Sequence, residues 1–336
     1  MSCYHPFLAL PDYDSPLSEN GRHVYKLQGS FSPKYKELYP DAIKVPCGKC
    51  LGCRLDYSRT WADRMMYELK SNDGIGCFLT LTYDNENVPF HYFDRDTGEV
   101  FDGLESDNLD SVQTLRKRDV QLFMKRLRKM FPERKIRFYA CGEYGSKTKR
   151  PHYHLIIFGC SVYDFHDRRV VGKNELGDNF FSSDSLALRW PAGFHVLADV
   201  SYKTCAYVAR YVTKKIYGDT VPYGADQEFV LMSRRPGLGS FYYEDHPDCV
   251  ERSKIFLNDS NGSVQVSVPR YFKKKFSLTN PEAYENMIKE RSEFSNDREL
   301  LRLKKTDLSY IDQLEVDENE KISKTKILFN LREEVL

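Results

Sequence analysis

No run of this 336-residue chain approaches the roughly twenty apolar residues that a membrane span requires, so a membrane protein is not expected. Met1-Ser2-Cys3-Tyr4-His5-Pro6 offers neither a basic stretch followed by an apolar core nor a lipidation pattern, which makes a cytoplasmic protein the expectation. A surplus of charge is missing too: 50 Lys and Arg against 49 Asp and Glu leave a net charge of +1, which by itself argues nothing for a polyanionic partner. There is no internal repeat, and the absence of a phosphate loop of the Gly-x-x-x-x-Gly-Lys-Ser/Thr type leaves no sign of a nucleotide-driven motor. What remains, 41% hydrophobic and 29% charged, describes a globular protein of one large domain or two ordinary ones.

The organisation is read from periodicity. Residues 1–57 are rich in Pro, Tyr and Gly and hold a cysteine cluster, and form an expected irregular segment. A helix is expected from Ser58 to Lys70, with Trp61, Met65 and Leu69 on one face, then a strand from Cys77 to Tyr83 ended by Asp84-Asn85-Glu86-Asn87. Residues 91–111 read as a polar loop. Between Arg116 and Arg137 ten basic residues face two acidic ones, with Val120, Phe123, Leu127 and Met130 at helical spacing, so an amphipathic helix with a basic outer face follows. Such a face can hold phosphates, although most charge runs are merely solvated. Lys135 to Cys141 and His152 to Gly159 read as a hairpin joined by a turn from Gly142 to Arg150, residues 160–190 as a polar insertion, and His195 to Val200 as a further strand. Ser201 is a plausible N-cap for the helix beyond it. The expected fold is α+β, an antiparallel sheet with flanking helices. Its expected divisions are 1–57, 58–240 and a C-terminal extension 241–336 ending in a charged helical tail.

Two stretches carry chemistry. His152-Tyr153-His154 opens the apolar run Leu155-Ile156-Ile157-Phe158; in a strand both histidines point to one face and Tyr153 to the other, which presents two imidazoles to one metal ion. Taken alone the pair is as consistent with satisfied structural histidines as with ligands. Gly142-Glu143-Tyr144-Gly145 precedes it, and hairpin pairing would bring the Glu143 carboxylate beside the imidazoles; the ordinary alternative is a solvated turn residue. Two imidazoles and a carboxylate leave coordination positions open and suit Mn²⁺ or Mg²⁺ acting on phosphate oxygen. His166 and His195 are spare candidates. A histidine-triad hydrolase would need a third histidine at 156, where this chain has Ile156. The second stretch, Tyr207-Val208-Ala209-Arg210-Tyr211, places two phenols one turn apart on a helix, with Lys214 on the same face and Lys215 beside it. With 23 tyrosines in the chain, a core or surface aromatic stripe is the ordinary alternative, but Cys205, Val208, Val212 and Ile216 already form a buried stripe. A phenol needs a base, a cation or a metal-polarised electrophile to attack at neutral pH.

Nine cysteines is an odd number, and Cys47-x-x-Cys50-x-x-Cys53 fits metal binding in a reducing compartment better than a disulfide framework. Cys3, or less favourably His5, completes a four-ligand structural zinc site. An iron–sulfur cluster and three reduced thiols in a turn are the alternatives.

The histidine strand and helical tyrosines together resemble the HUH endonucleases. Pro46-Cys-Gly-Lys-Cys-Leu-Gly-Cys53 followed by Arg54 and Trp61, Gly142-Glu-Tyr-Gly145, Arg150-Pro-His-Tyr-His154, Tyr207-Val-Ala-Arg-Tyr-Val-Thr-Lys214 and Met232-Ser-Arg-Arg-Pro-Gly237 are similar to the replication initiators of microviruses, most closely the gokushovirus branch. The resemblance covers roughly residues 3–240. It implies an HUH-like sheet whose first conserved strand is Phe78 to Tyr83, His152 and His154 as metal ligands, Glu143 as the third, and Tyr207 and Tyr211 as nucleophiles. It further implies rolling-circle nicking and rejoining of single-stranded origin DNA through a 5′-phosphotyrosyl intermediate, in the cytoplasm of a bacterial host, with a host DNA polymerase and host helicase as partners. The rival is a zinc-stabilised single-stranded nucleic-acid-binding protein without catalysis. The oligomeric state is left open.

Overall fold

The computed structural model describes residues 3–17, 23–102, 109–145, 147–174, 177–210, 221–252, 254–259 and 262–333. Two compact units result, Met1–Tyr57 with Lys273–Leu336, and Ser58–Phe272.

In the first unit β1 (Phe7–Asp12) is the centre of a three-stranded antiparallel sheet, flanked by β2 (Val24–Ser30) and β3 (Ile43–Val45). One turn of helix, α1 (Tyr35–Leu38), lies between β2 and β3. The helix expected from Ser58 begins earlier: α2 runs Leu51–Lys70 and takes in the last cysteine of the cluster. The C-terminal tail is helical as expected, forming α8 (Pro281–Leu303) and α9 (Tyr310–Glu333) after α7 (Arg270–Thr279). The start of α9 enters a core, where Tyr310 and Leu314 join Leu8, Phe31 and Ala42. Lys44 ties the tail down, with Nζ 2.6 Å from Glu299 Oε1 and donating to the Tyr310 hydroxyl at 2.7 Å. So small an apolar cluster favours an additional staple.

The second unit is built on a seven-stranded sheet in which every pairing is antiparallel. In chain order its strands are β4 (Gly76–Tyr83), β8 (Arg137–Tyr144), β9 (Pro151–Phe158), β10 (Arg168–Lys173), β11 (Asn179–Ser183), β12 (Gly193–Asp199) and β13 (Phe229–Met232); across the sheet they run β10-β11-β12-β4-β9-β8-β13. The polar loop expected over 91–111 instead holds strands: β5 (Phe90–Phe93), β6 (Val100–Asp102) and β7 (Asp110–Gln113) form a small sheet, with Asp94 accepting from the backbone of Asp96 and Thr97 to turn the chain. The polar insertion at 160–190 likewise supplies β10 and β11 and the short helix α4 (Asp184–Ala187). β10 is an edge strand with mostly exposed side chains, so no alternation betrays it. The remaining elements are α3 (Lys117–Met130), α5 (Tyr202–Arg210), α6 (Ser240–Asp245) and the hairpin β14 (Ile255–Asp259) with β15 (Gly262–Val266).

The two faces of the large sheet differ. Leu79, Leu81, Tyr153, Leu155, Ile157 and Leu197 line the core face, against Val120, Phe123, Met124 and Leu127 of α3 and against Trp190. The α3 stripe is thus as expected except that Met124 is buried where Met130 is only half-buried. Tyr153, between the two histidines, is fully buried here, and its hydroxyl accepts from the Arg116 backbone N–H at the start of α3 and lies 2.7 Å from the Tyr83 hydroxyl, which donates to Asp119. The basic outer face of α3 therefore lies on the far side of the sheet from the histidines, and the structure does not bring the two together.

A buried ion pair pins the Arg-Arg-Pro-Gly segment. Arg137 Nε lies 2.6 Å from Glu68 Oε1 on α2, both side chains at most 5% exposed, while Arg137 donates to the Pro236 carbonyl and Glu68 accepts from the Gly239 N–H. Glu68→Ala should strand the guanidinium and lower stability by about 3–5 kcal/mol, read as a shift in the urea unfolding midpoint.

Candidate metal and tyrosine site

Strand pairing sets the geometry. Glu143 was expected in a turn, but β8 extends to Tyr144 and places it directly opposite His152, with Cys141 opposite His154; on the other side of β9, Thr82 and Thr80 pair with the same two histidines. Cross-strand partners share a face, so the two imidazoles and the carboxylate rise together from the face away from the core. Glu143 Oε1 lies 2.7 Å from His152 Nε2 and 2.9 Å from His154 Nε2. An octahedral ion with bonds near 2.1 Å holds adjacent ligands about 3 Å apart, so the donors fit one small divalent cation. The Nδ1 atoms face outward, His152 to the Arg150 carbonyl at 3.1 Å and His154 to Thr80 Oγ1 at 3.0 Å, which fixes ring orientation and turns Nε2 to the centre. Burial works against charge on Glu143, yet hydrogen bonds from His152 and His154 hold its carboxyl down at about 2. It is an anion throughout the working pH range.

Helix α5 brings the phenol. Ser201 caps it as expected, its hydroxyl accepting from the Thr204 N–H. Cys205 and Val208 are buried, and Tyr207 turns to the histidines: its ring centroid lies 5.2 Å from that of His154 and 6.0 Å from that of Phe78, which itself stacks on His154. Tyr211, Lys214 and Lys215, with Val212 and Ile216, lie outside the described residues. The start of α5 is held by two carboxylates that sequence reasoning passed over: Asp259 accepts from the Tyr202 N–H at 2.7 Å, and buried Asp63 on α2 accepts from the Tyr202 hydroxyl and the Ser267 N–H at 3.1 Å each. Nothing local marks Asp63, which precedes the partner it holds by 139 residues. Thr80 was more legible, since Leu79-Thr80-Leu81-Thr82 alternates. Of the spare histidines, His195 is buried on the core face and accepts from the Ser183 N–H, and His166 is exposed and apart.

In the first unit Cys3, Cys47, Cys50 and Cys53 converge, their sulfurs all within 4.8 Å of one another. Cys47 Sγ lies 4.0 Å from Cys53 Sγ, and Cys50 Sγ 3.9 Å from Cys3 Sγ. A tetrahedron of thiolates with Zn–S near 2.3 Å has edges of about 3.8 Å, so the spacing suits zinc. Backbone N–H groups of Tyr4, Cys47, Cys50 and Cys53 point at these sulfurs, as thiolates require. Burial opposes the Cys47 thiolate, but N–H donors from Cys50 and Lys49 bring it down to about 7. His5 is engaged instead with Glu318 at 2.5 Å.

An antiparallel sheet presenting two imidazoles and a carboxylate to one point, with a helical phenol beside them, defines a candidate phosphoryl-transfer centre. Residues 76–216, which contain it, match the family model described as replication-associated protein of the ORF2 type, and the chain belongs to that family. It is 31% identical over 256 residues to replication-associated protein ORF2 of Spiroplasma virus 4, covering 74% of this chain and 73% of that one. It is 31% identical over 262 residues to replication-associated protein VP4 of Bdellovibrio phage phiMH2K, covering 74% and 72%. Replication-associated protein ORF4 of Chlamydia phage 1 is 26% identical over 271 residues, covering 78% and 59%. The resemblance to phage replication initiators therefore holds. No solved structure matches the chain. No helix among the described residues is long and apolar enough to cross a membrane.

Two outcomes are expected. Purified protein should contain about one zinc per chain by elemental analysis, and Cys3→Ser should lose the metal and melt at lower temperature. Burial raises the Asp63 carboxyl to about 6, above its unfolded value near 4, against the pull of the Ser267 N–H and the Tyr202 hydroxyl. The folded state holds that proton more tightly, so stability should fall as pH rises from about 4 to 6, by roughly 2 kcal/mol. Denaturation of Asp63→Asn beside the parent across that window should show the slope vanish.

Proposed function

We propose that this chain nicks and rejoins single-stranded phage origin DNA during rolling-circle replication. The observation that carries the proposal is the placement of the Tyr207 ring 5.2 Å from His154, at the point where His152, His154 and Glu143 converge. A Mn²⁺ or Mg²⁺ held by these three residues would polarise a phosphate oxygen. The Tyr207 oxygen attacks phosphorus; the new Oη–P bond forms as the P–O3′ bond breaks, the phenolic proton leaves to solvent, and the departing 3′ oxygen takes up a proton. The products are a 5′-phosphotyrosyl bond and a 3′-hydroxyl that a host polymerase extends while a host helicase opens the duplex. Attack by a 3′-hydroxyl on the phosphotyrosine reverses the step and rejoins the strand. Tyr211 serves as second nucleophile at the regenerated origin, and Lys214 stabilises charge developing on the phosphate. The family membership supports a role in phage replication, and the donor set supports the chemistry.

Incubation with tiled single-stranded segments of the phage genome and Mn²⁺ should give a covalent protein–DNA band on a denaturing gel. His152→Ala should reduce that band about 100-fold or more while single-strand affinity is largely kept. Tyr207→Phe should leave adduct at Tyr211 alone, and Tyr207→Phe with Tyr211→Phe none. Single-strand binding with no adduct under any of these conditions would establish the zinc-stabilised binding protein instead.

A further inference from the structure

One side chain on the open face of the sheet has no structural reason to be where it is. Phe194 is 67% exposed, yet β12 is an interior strand. Its neighbours show the contrast: His195 and Leu197 turn to the core, while Phe194 pairs with Thr82, and Thr82 with His152. Phe194, Thr82, His152 and Glu143 thus form one cross-strand row on the face of the metal ligands, and Phe194 stands two strands, roughly 10 Å, from His152. Burying a phenylalanine is normally favourable by about 1.5–3 kcal/mol, so one held in solvent beside a reactive centre invites a ligand.

The surroundings make it the wall of a cavity of about 590 Å³, bounded also by Thr82, Asp84, Asn85, Glu86 and Arg150. The cavity is built, not incidental. Arg150 donates through Nε to the Tyr83 carbonyl and through a terminal nitrogen to Asn85 Oδ1, and Asp84 accepts from Asn87 and from the Glu86 N–H. Gly193 lets β12 press against β4, since a Cβ there would come 2.3 Å from the Thr82 carbonyl oxygen. The chemistry then selects among parts of a nucleic acid. Two carboxylates at the rim repel a phosphate, whereas an aromatic face, a guanidinium plane and an amide suit a flat, neutral, hydrogen-bonding ring.

We infer that this cavity takes one unpaired nucleobase of the strand whose phosphate is cut, stacked on Phe194, so that a neighbouring phosphodiester lies over His152, His154 and Glu143. The inference rests on the proposed nuclease reading for its substrate class and adds the residue that sets the strand's position. Phe194 is a positioning residue: it touches the base and not the reacting atoms.

The test reads binding apart from cleavage. A random-sequence single strand carrying iodouracil is bound by the full-length protein without added Mn²⁺ or Mg²⁺, its affinity measured by fluorescence anisotropy, then irradiated, and crosslinked tryptic peptides are mapped by mass spectrometry. The parent should crosslink within the Trp190–Lys203 peptide, and Phe194→Ala should lose that crosslink and roughly 5- to 100-fold in affinity, with Phe194→Trp restoring both. Because the side chain is exposed, unchanged melting of Phe194→Ala verifies its fold. Affinity of Phe194→Ala equal to the parent's, crosslinks only elsewhere, or no single-strand binding by the parent overturns the inference. Nicking that survives in the first two cases leaves the nuclease reading standing, while a Phe194 crosslink in a protein that never nicks leaves the base site standing alone.

Discussion

A carboxylate buried in a protein interior is costly unless positive charge or hydrogen-bond donors meet it, and Glu143 meets two imidazoles. That requirement organises the second unit. It dictates that β8 and β9 pair so that Glu143 faces His152, which aligns Thr80 behind His154 and lays Phe78 against the same ring. With Phe78 and His154 in place, α5 buries Cys205 and Val208 with Tyr207 turned to the imidazoles. A divalent ion would satisfy the same carboxylate more fully than the imidazoles do alone.

Much of this was legible in the residues and some was not. Period-two alternation placed His152 and His154 on one face and Tyr153 on the other, because β9 is central and its two faces meet different surroundings. The strand position of Glu143 was hidden by Gly142 and Gly145, which read as a turn when the turn itself is only the residues after Tyr144. β10 and the small sheet of β5, β6 and β7 were missed for a related reason: strands with little burial carry no hydrophobic pattern. The tethers on α5, Asp63 and Asp259, come from far along the chain, where spacing carries no signal.

The first unit solves a different problem. Leu8, Phe31, Ala42, Tyr310 and Leu314 are too few to order strands as exposed as β2, and four converging sulfurs draw Cys3 at one end of the segment to the Cys47–Cys53 turn at the other. Cys3 was expected as the fourth member only because no other free thiol lay near the N-terminus, and the geometry brings it to the three.

The tyrosine between the histidines has a consequence of its own. Its ring lies in the core and its hydroxyl meets the first turn of α3, so the strand is keyed on both sides, by imidazoles above and by a phenol below. A slip of one residue would not merely misplace ligands; it would drive two imidazoles into an apolar core and leave a phenol in solvent. Intermediate states of the centre are thereby suppressed. Local damage to either side of β9, in the helix or among the ligands, becomes a failure of both, and the centre is either fully assembled or absent.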